Sequence, residues 1–147
     1  MDKERRIIRE IVSISRCLSF IRNVEFKHLD LTRGQHSFLT RIMENPGISQ
    51  EELTFLLRGD KTTTAKALRK LENKGYINRV KSTSDKRSWN IYPEDKLVQI
   101  YPYLIQKIES TARDGLRGFS EEELETMLSY IQRMRENMDV EWGRLKQ

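Results

Sequence analysis

Ten lysines and arginines fall within residues 58–87: Arg58, Lys61, Lys66, Arg69, Lys70, Lys74, Arg79, Lys81, Lys86 and Arg87. Only three acids, Asp60, Glu72 and Asp85, stand among them. The stretch carries +7 in a 147-residue chain whose net charge is +5, so the remainder is slightly acidic, at −2. A cationic patch this local is the footprint of a polyanion-binding surface, although charge runs also occur as plain solvated faces. Spacing decides between the two. Thr62, Lys66, Arg69 and Asn73 recur at helical intervals, with Lys61, Thr63 and Lys70 beside them. Hydroxyls can hydrogen-bond bases or phosphates, cations neutralise phosphates, and the unpaired N–H groups of a helix's first turn add an anion site. A solvent-facing helix would interleave its lysines with acids, and here only Glu72 interrupts. The composition of this face predicts contact with double-stranded DNA.

Lys86 and Arg87 offer a second contact, since an arginine is drawn into a narrow minor groove by its negative potential. Asp85 beside them either pairs with a neighbouring arginine to fix the loop or serves as a turn former. Other chemistries find little support. No histidine is paired in sequence with a candidate nucleophile, no glycine-rich phosphate loop follows a strand, and the acidic run at residues 121–125 reads as a helix start. The chain is therefore not expected to be an enzyme. One cysteine, Cys17, and two histidines exclude an internal disulfide and leave no Cys/His metal site, and no cofactor is expected. No apolar run approaches the roughly 18 residues needed to span a bilayer, and the charged start MDKERRII is unlike a signal peptide, so a cytoplasmic protein without a membrane partner is expected.

The elements that must position these residues follow from periodicity. Ile7, Ile11, Ile14, Leu18 and Ile21 form one stripe on a helix of about six turns, widened by Ile8, Val12 and Phe20. Such a seam wants an apolar partner along much of its length. Thr32-Arg33-Gly34-Gln35 reads as a capping box, with Phe38, Leu39, Ile42 and Met43 following on one face and Asn45-Pro46-Gly47 as the stop. Ser49 caps a short helix with Leu53, Leu56 and Leu57 facing inward, ended by Arg58-Gly59. Asp60 caps the next, which buries Thr64, Ala67, Leu68 and Leu71 and stops at Lys74-Gly75. Two short helices about a tight turn form a helix-turn-helix. The period then alternates, with strands at 76–81 and 88–92 around a polar, basic tip at 82–87. Leu97, Tyr101, Leu104 and Ile108 restore a helical stripe, Gly115 and Gly118 break it, and Ser120 with Glu123 opens a last amphipathic helix carrying Leu124, Met127, Leu128, Ile131, Met134, Met138, Trp142 and Leu145.

The fold class is thus mainly α with a small β-hairpin wing: a single domain over 1–147, with a winged helix-turn-helix at 31–95 flanked by helical regions at 3–29 and 96–147. The flanking stripes exceed what one small domain can cover, and dimerisation through them is the economical explanation.

The stretches LTRGQHSFLTRI, ISQEELTFLL, GDKTTTAKALRKLENKGYINR and STSDKRSWNIYPEDK resemble the multiple-antibiotic-resistance regulator (MarR) family of bacterial winged-helix transcription factors. Leu71-Glu72-x-x-Gly75 with Arg79, then Asp85-Lys86-Arg87, is the most specific part. The resemblance implies a homodimer with interlocked terminal helices, binding a pseudo-palindromic operator through a recognition helix at 61–74 and a wing carrying Asp85 and Arg87. It further implies a small aromatic or lipophilic effector held where the dimer helices meet the winged unit. His28, His36, Tyr101 and Tyr103 fall near those junctions, where plain core packing is the other reading. Cys17 is a redox candidate because peroxide-sensing relatives carry a reactive cysteine in this helix, but their Cys-Phe context is missing and a buried, inert thiol is expected. The sequence departs from the family pattern at Tyr92-Pro93 and Lys96, where the second wing strand passes into the next helix, and at Thr64, where an aliphatic residue is common. The function expected is a sequence-specific transcriptional regulator, acting as a repressor. The alternative is a winged-helix architectural or protein-interaction module without its own operator.

Overall fold

The computed structural model describes residues 2–146. In chain order it contains α1 (Lys3–Glu25), a 3-10 turn (Lys27–Leu29), α2 (Gln35–Glu44), β1 (Ile48–Ser49), α3 (Gln50–Leu56), α4 (Lys61–Asn73), β2 (Ile77–Lys81), β3 (Trp89–Pro93), α5 (Asp95–Gly115) and α6 (Glu121–Lys146). Local chemistry sets most of the boundaries. The Asp2 carboxylate accepts from Arg5 N–H at the head of α1, and the Ser49 hydroxyl accepts from Glu52 N–H at the head of α3. At α6 the capping box is reciprocal: Glu123 N–H donates to Ser120 Oγ at 3.1 Å, and Ser120 N–H donates to Glu123 Oε1 at 2.9 Å. The expected box at Thr32 is only half made. Gln35 Oε1 accepts from Thr32 N–H, but Arg33 and Gly34 are both left-handed, and the helix starts at Gln35 instead.

The strands sit one residue further on than expected at their starts, at 77 and 89, and a third strand accompanies them. β3 is central, antiparallel to both β2 and the two-residue β1. Arg79 pairs with Ile91 and Lys81 with Trp89 across β2–β3, while Ile48 pairs with Ile91 across β1–β3. Gly47 admits this close approach, because a Cβ there would lie 3.2 Å from Tyr92 Oη and its φ is +86°.

The chain divides into two compact units, Met1–Lys107 and Ile108–Gln147. In the first, Leu39, Ile42, Leu53, Leu68, Leu71, Ile91, Leu97 and Leu104 are completely buried. Thr64, despite its hydroxyl, is buried with them. On α1, however, Ile7, Ile8, Ile11, Val12, Ile14, Leu18 and Phe20 are all exposed. The second unit consists of the end of α5 and α6, and none of the described α6 residues is buried. No helix among the described residues is long and apolar enough to cross a membrane.

The departure at Tyr92-Pro93 and Lys96 has a clear solution. β3 runs on to Pro93, Glu94 N–H donates to Tyr76 O at 2.9 Å, and α5 begins at Asp95. The Lys96 ammonium then sits 4.4 Å over the Tyr76 ring and donates to Lys74 O.

Candidate nucleic-acid interface

α4 carries the helical half of the basic surface. Its buried side is Thr64, Leu68 and Leu71, spaced to face the core, which turns Lys61, Thr62, Thr63, Lys66, Arg69, Lys70 and Asn73 outward, all of them exposed. Asp60 anchors the first turn: its Oδ1 accepts from Thr63 N–H and its Oδ2 from the Thr63 hydroxyl, both at 2.8 Å. Those two bonds, the backbone one foremost, hold the Asp60 carboxyl below its ordinary value. Thr63 therefore spends its hydroxyl proton on the cap, and toward a phosphate, which also accepts, Thr62 is the better placed donor.

The wing supplies the other half. Ile77, Arg79 and Lys81 share one face of β2, and burial fades along them from core to solvent. At the tip Lys86 and Arg87 are exposed. Of the two expected roles for Asp85, the structure shows the turn former: Arg87 N–H donates to Asp85 Oδ1 at 3.0 Å and Ser88 N–H to Asp85 O at 3.0 Å. The carboxylate thus acts on backbone, and the Arg87 side chain extends into solvent.

Not all ten cations face outward. The Arg79 side chain is 16% exposed, donates twice to Glu72 at 3.3 Å and lies over the Trp89 ring, 5.3 Å from its centroid. Lys74 donates to Asp30 O and to Gln35 Oε1, and Arg58 donates to Leu56 O at 2.8 Å while lying over Phe55. Seven remain on the exposed surface: Lys61, Lys66, Arg69, Lys70, Lys81, Lys86 and Arg87. Glu72, the one acid on the cationic helix face, is occupied by Arg79.

The structure gathers three of the four junction aromatics. Phe26, completely buried, lies 5.4 Å from His36 and 6.2 Å from Tyr103, and His28 meets Tyr103 edge-on at 5.4 Å. Arg22 sits beside them, 6.0 Å from the Phe26 ring and paired with Glu25 at 3.0 Å. Burial first, and the Arg22 charge second, lower the His36 pKa from 6.5 to about 4, so this imidazole is neutral near pH 7. Among the described residues no ring contact joins Tyr101 to the group. Phe26 escaped sequence reading because its ring partners His36 and Tyr103 lie farther along the chain, although a phenylalanine closing a long helix was a signal of burial. Cys17 was expected to be buried; in the single chain it is exposed, because the apolar side of α1 from Ile7 to Phe20 is uncovered. No group of three or more His, Cys, Asp or Glu among the described residues is arranged to hold a metal.

This arrangement has close relatives. Residues 31–89 match the MarR family model. The HTH-type transcriptional regulator YybA of Bacillus subtilis (strain 168) is 42% identical over 95% of this chain and 93% of its own. A MarR protein from Peptoclostridium difficile superposes with a TM-score of 0.92 at 36% identity, covering 95% of this chain and 91% of the other. A MarR-family regulator from Listeria monocytogenes, solved in complex with a 26-mer DNA, gives 0.92 at 36% identity, with 95% and 93% covered. With the helix-turn-helix, the hairpin wing and end-to-end similarity in agreement, this chain belongs to the MarR family of transcriptional regulators.

Proposed function

We propose that this protein is a cytoplasmic repressor that binds a pseudo-palindromic operator as a homodimer, with α4 in the major groove and the wing tip over the adjacent minor groove. The observation that carries this reading is the outward face of α4. Lys61, Thr62, Lys66, Arg69 and Lys70 are exposed together on a helix whose only acid on that face is neutralised by Arg79. A helix fits the major groove and reads base edges with its N-terminal residues, where Lys61 and Thr62 stand. The DNA complex of the Listeria relative supports the same use of the fold. Two copies related by a two-fold axis place their recognition helices about 34 Å apart, one helical turn of DNA. A small aromatic or lipophilic effector acting at the Phe26, His28, His36 and Tyr103 cluster completes the reading, which assigns the chain no catalytic role.

Footprinting with genomic DNA fragments captured by the full-length protein tests this proposal. Expected is a protected palindrome, with binding that weakens steeply as salt rises. Lys66→Ala should lower the slope of log affinity against log salt by about 0.9 for each phosphate that a DNA-bound chain no longer neutralises. Uniform weak coverage of all sequences would favour the architectural module instead.

A further inference from the structure

We propose that Arg79 is a positioning residue that locks the wing to the recognition helix, so that the two DNA-contacting elements engage as one rigid unit; this rests on the DNA-binding reading above. Glu72 lies in the last turn of α4 and Arg79 midway along β2, and the guanidinium joins them with two hydrogen bonds, Nε to Oε2 and Nη2 to Oε1, both at 3.3 Å. The fork geometry fixes orientation as well as distance, which an ammonium on a flexible stem does not. The same guanidinium lies 5.3 Å from the ring of Trp89, the first residue of β3. Trp89 is also approached by the Lys81 ammonium at 5.7 Å, and Lys81 is its cross-strand partner.

One side chain therefore ties together α4, β2 and β3. It does so at the point where the sheet leaves the core, since Ile77 on the same face is buried and Lys81 beyond is exposed. Outward of that point the wing is defined from within itself, by its hairpin bonds, by the Ser82 hydroxyl that meets Ser84 Oγ and accepts from Ser84 and Asp85 N–H, and by the Asp85 turn. A two-stranded hairpin is marginal by itself, so the direction in which Lys86 and Arg87 project depends on what holds its base. The clamp is half-buried, with side-chain exposures of 16% for Arg79 and 35% for Glu72. Removing one partner leaves the other a poorly solvated charge and frees the hairpin to swing.

Simple electrostatics and positioning predict opposite signs for one substitution. Glu72→Gln removes an acid from a DNA-facing surface, and if Glu72 were only an unfavourable charge, DNA binding would tighten. If it positions the wing through Arg79, operator binding weakens. Arg79→Lys keeps the charge but loses the two-pronged fork to Glu72, so it should weaken binding as well.

The test uses the full-length protein and a duplex captured from genomic DNA, with a scrambled duplex of equal length as reference, in salt titrations and hydroxyl-radical footprints. For both Glu72→Gln and Arg79→Lys the expected result is a several-fold loss on the captured duplex. The salt slope should drop by about two for each chain bound, as Lys86 and Arg87 leave the phosphates, and protection of the sugars under the wing tip should be lost while that of the backbone beside the recognition helix persists. Adding Lys86→Ala and Arg87→Ala to either variant should then cost almost nothing further, whereas adding Lys66→Ala should cost its full amount. Should Arg79→Lys melt at a much lower temperature than wild type, Glu72→Gln, from the more exposed side of the pair, carries the test alone. Tighter or unchanged binding by Glu72→Gln, with an undiminished effect of the wing substitutions, overturns the clamp and leaves the DNA-binding reading intact. A wild-type protein that binds both duplexes equally overturns the operator reading and the clamp with it.

Discussion

His36 shows how a single side chain acquires its properties from neighbours distant in sequence. Its ring packs against Phe26 from the end of α1, and Arg22 adds positive charge from one turn earlier. Both effects disfavour the imidazolium, and burial is the larger. In the unfolded chain the same imidazole takes up a proton near pH 6.5, whereas in the folded chain it does so only near pH 4. Between those values the unfolded state binds more protons, so stability is fully present above about pH 6.5 and drains away as pH falls toward 4. The melting temperature should therefore decline across that interval, and His36→Gln should flatten this part of the profile. A profile equally steep in the variant would assign the acid sensitivity to other groups. At this scale the sequence was partly legible. His28, His36 and Tyr103 were identifiable as junction residues, but their common neighbour Phe26 was not, because pairings across 10 and 77 positions leave no local trace.

Among the elements, those governed by short-range chemistry were readable in advance. Ser49, Asp60 and Ser120 cap helices as their sequence patterns require, since an N-cap needs only its own side chain and an N–H two or three residues on. Thr32-x-x-Gln35 carries a similar pattern but fails as a cap, because Arg33 and Gly34 turn left-handed and the helix starts only at Gln35, while Asn23 Oδ1 accepts from Arg33 N–H at 2.9 Å. β1 was invisible for a related reason: two residues form a strand only because Ile48 finds Ile91. The basic surface was legible as a charge count but not as a division of labour, since Lys74 meets Asp30 and Gln35 some forty residues away. That division makes a prediction for the elements. Alanine at both Lys86 and Arg87 should lower the salt slope of DNA binding by about two for each chain bound, while Lys74→Ala, at a cation turned inward, should lower melting temperature and leave the slope nearly unchanged. Titrations of DNA affinity against salt, paired with thermal melts, separate the two. For the recognition helix, Leu68→Ala should cost about 2–5 kcal/mol in urea unfolding, because Leu68 is completely buried beneath the DNA-facing residues.

For the whole molecule the uncovered apolar surface is the governing fact. The stripe of Ile7, Ile11, Ile14, Leu18 and Ile21 was readable from its four-three-four-three spacing, and in the single chain its first four members are exposed, Ile14 by 58%, while Ile21 is half-buried. The second unit repeats the situation independently, with Leu128, Ile131, Met138 and Leu145 more than half exposed on α6. Isolated apolar residues are ordinary at a protein surface, but continuous stripes along long helices mark an interface. A second copy of the chain is the partner consistent with its family. Ile14→Arg would place a charge in that interface and should convert dimer to monomer, as sedimentation velocity would show, with little change in the winged unit's own fold. The consequence for DNA should exceed that of any single substitution on the DNA-facing surface. In a dimer the second recognition helix binds at the effective concentration set by the first, and a monomer forfeits that advantage, so operator affinity should fall by about 10²-fold or more while binding to a single half-site stays weak and unchanged. Cys17 provides a second readout, since a thiol exposed in the single chain becomes shielded where copies meet and should react faster with a thiol reagent in the Ile14→Arg variant. An Ile14→Arg protein that still sediments as a dimer, with unchanged Cys17 reactivity, would place the subunit interface away from α1.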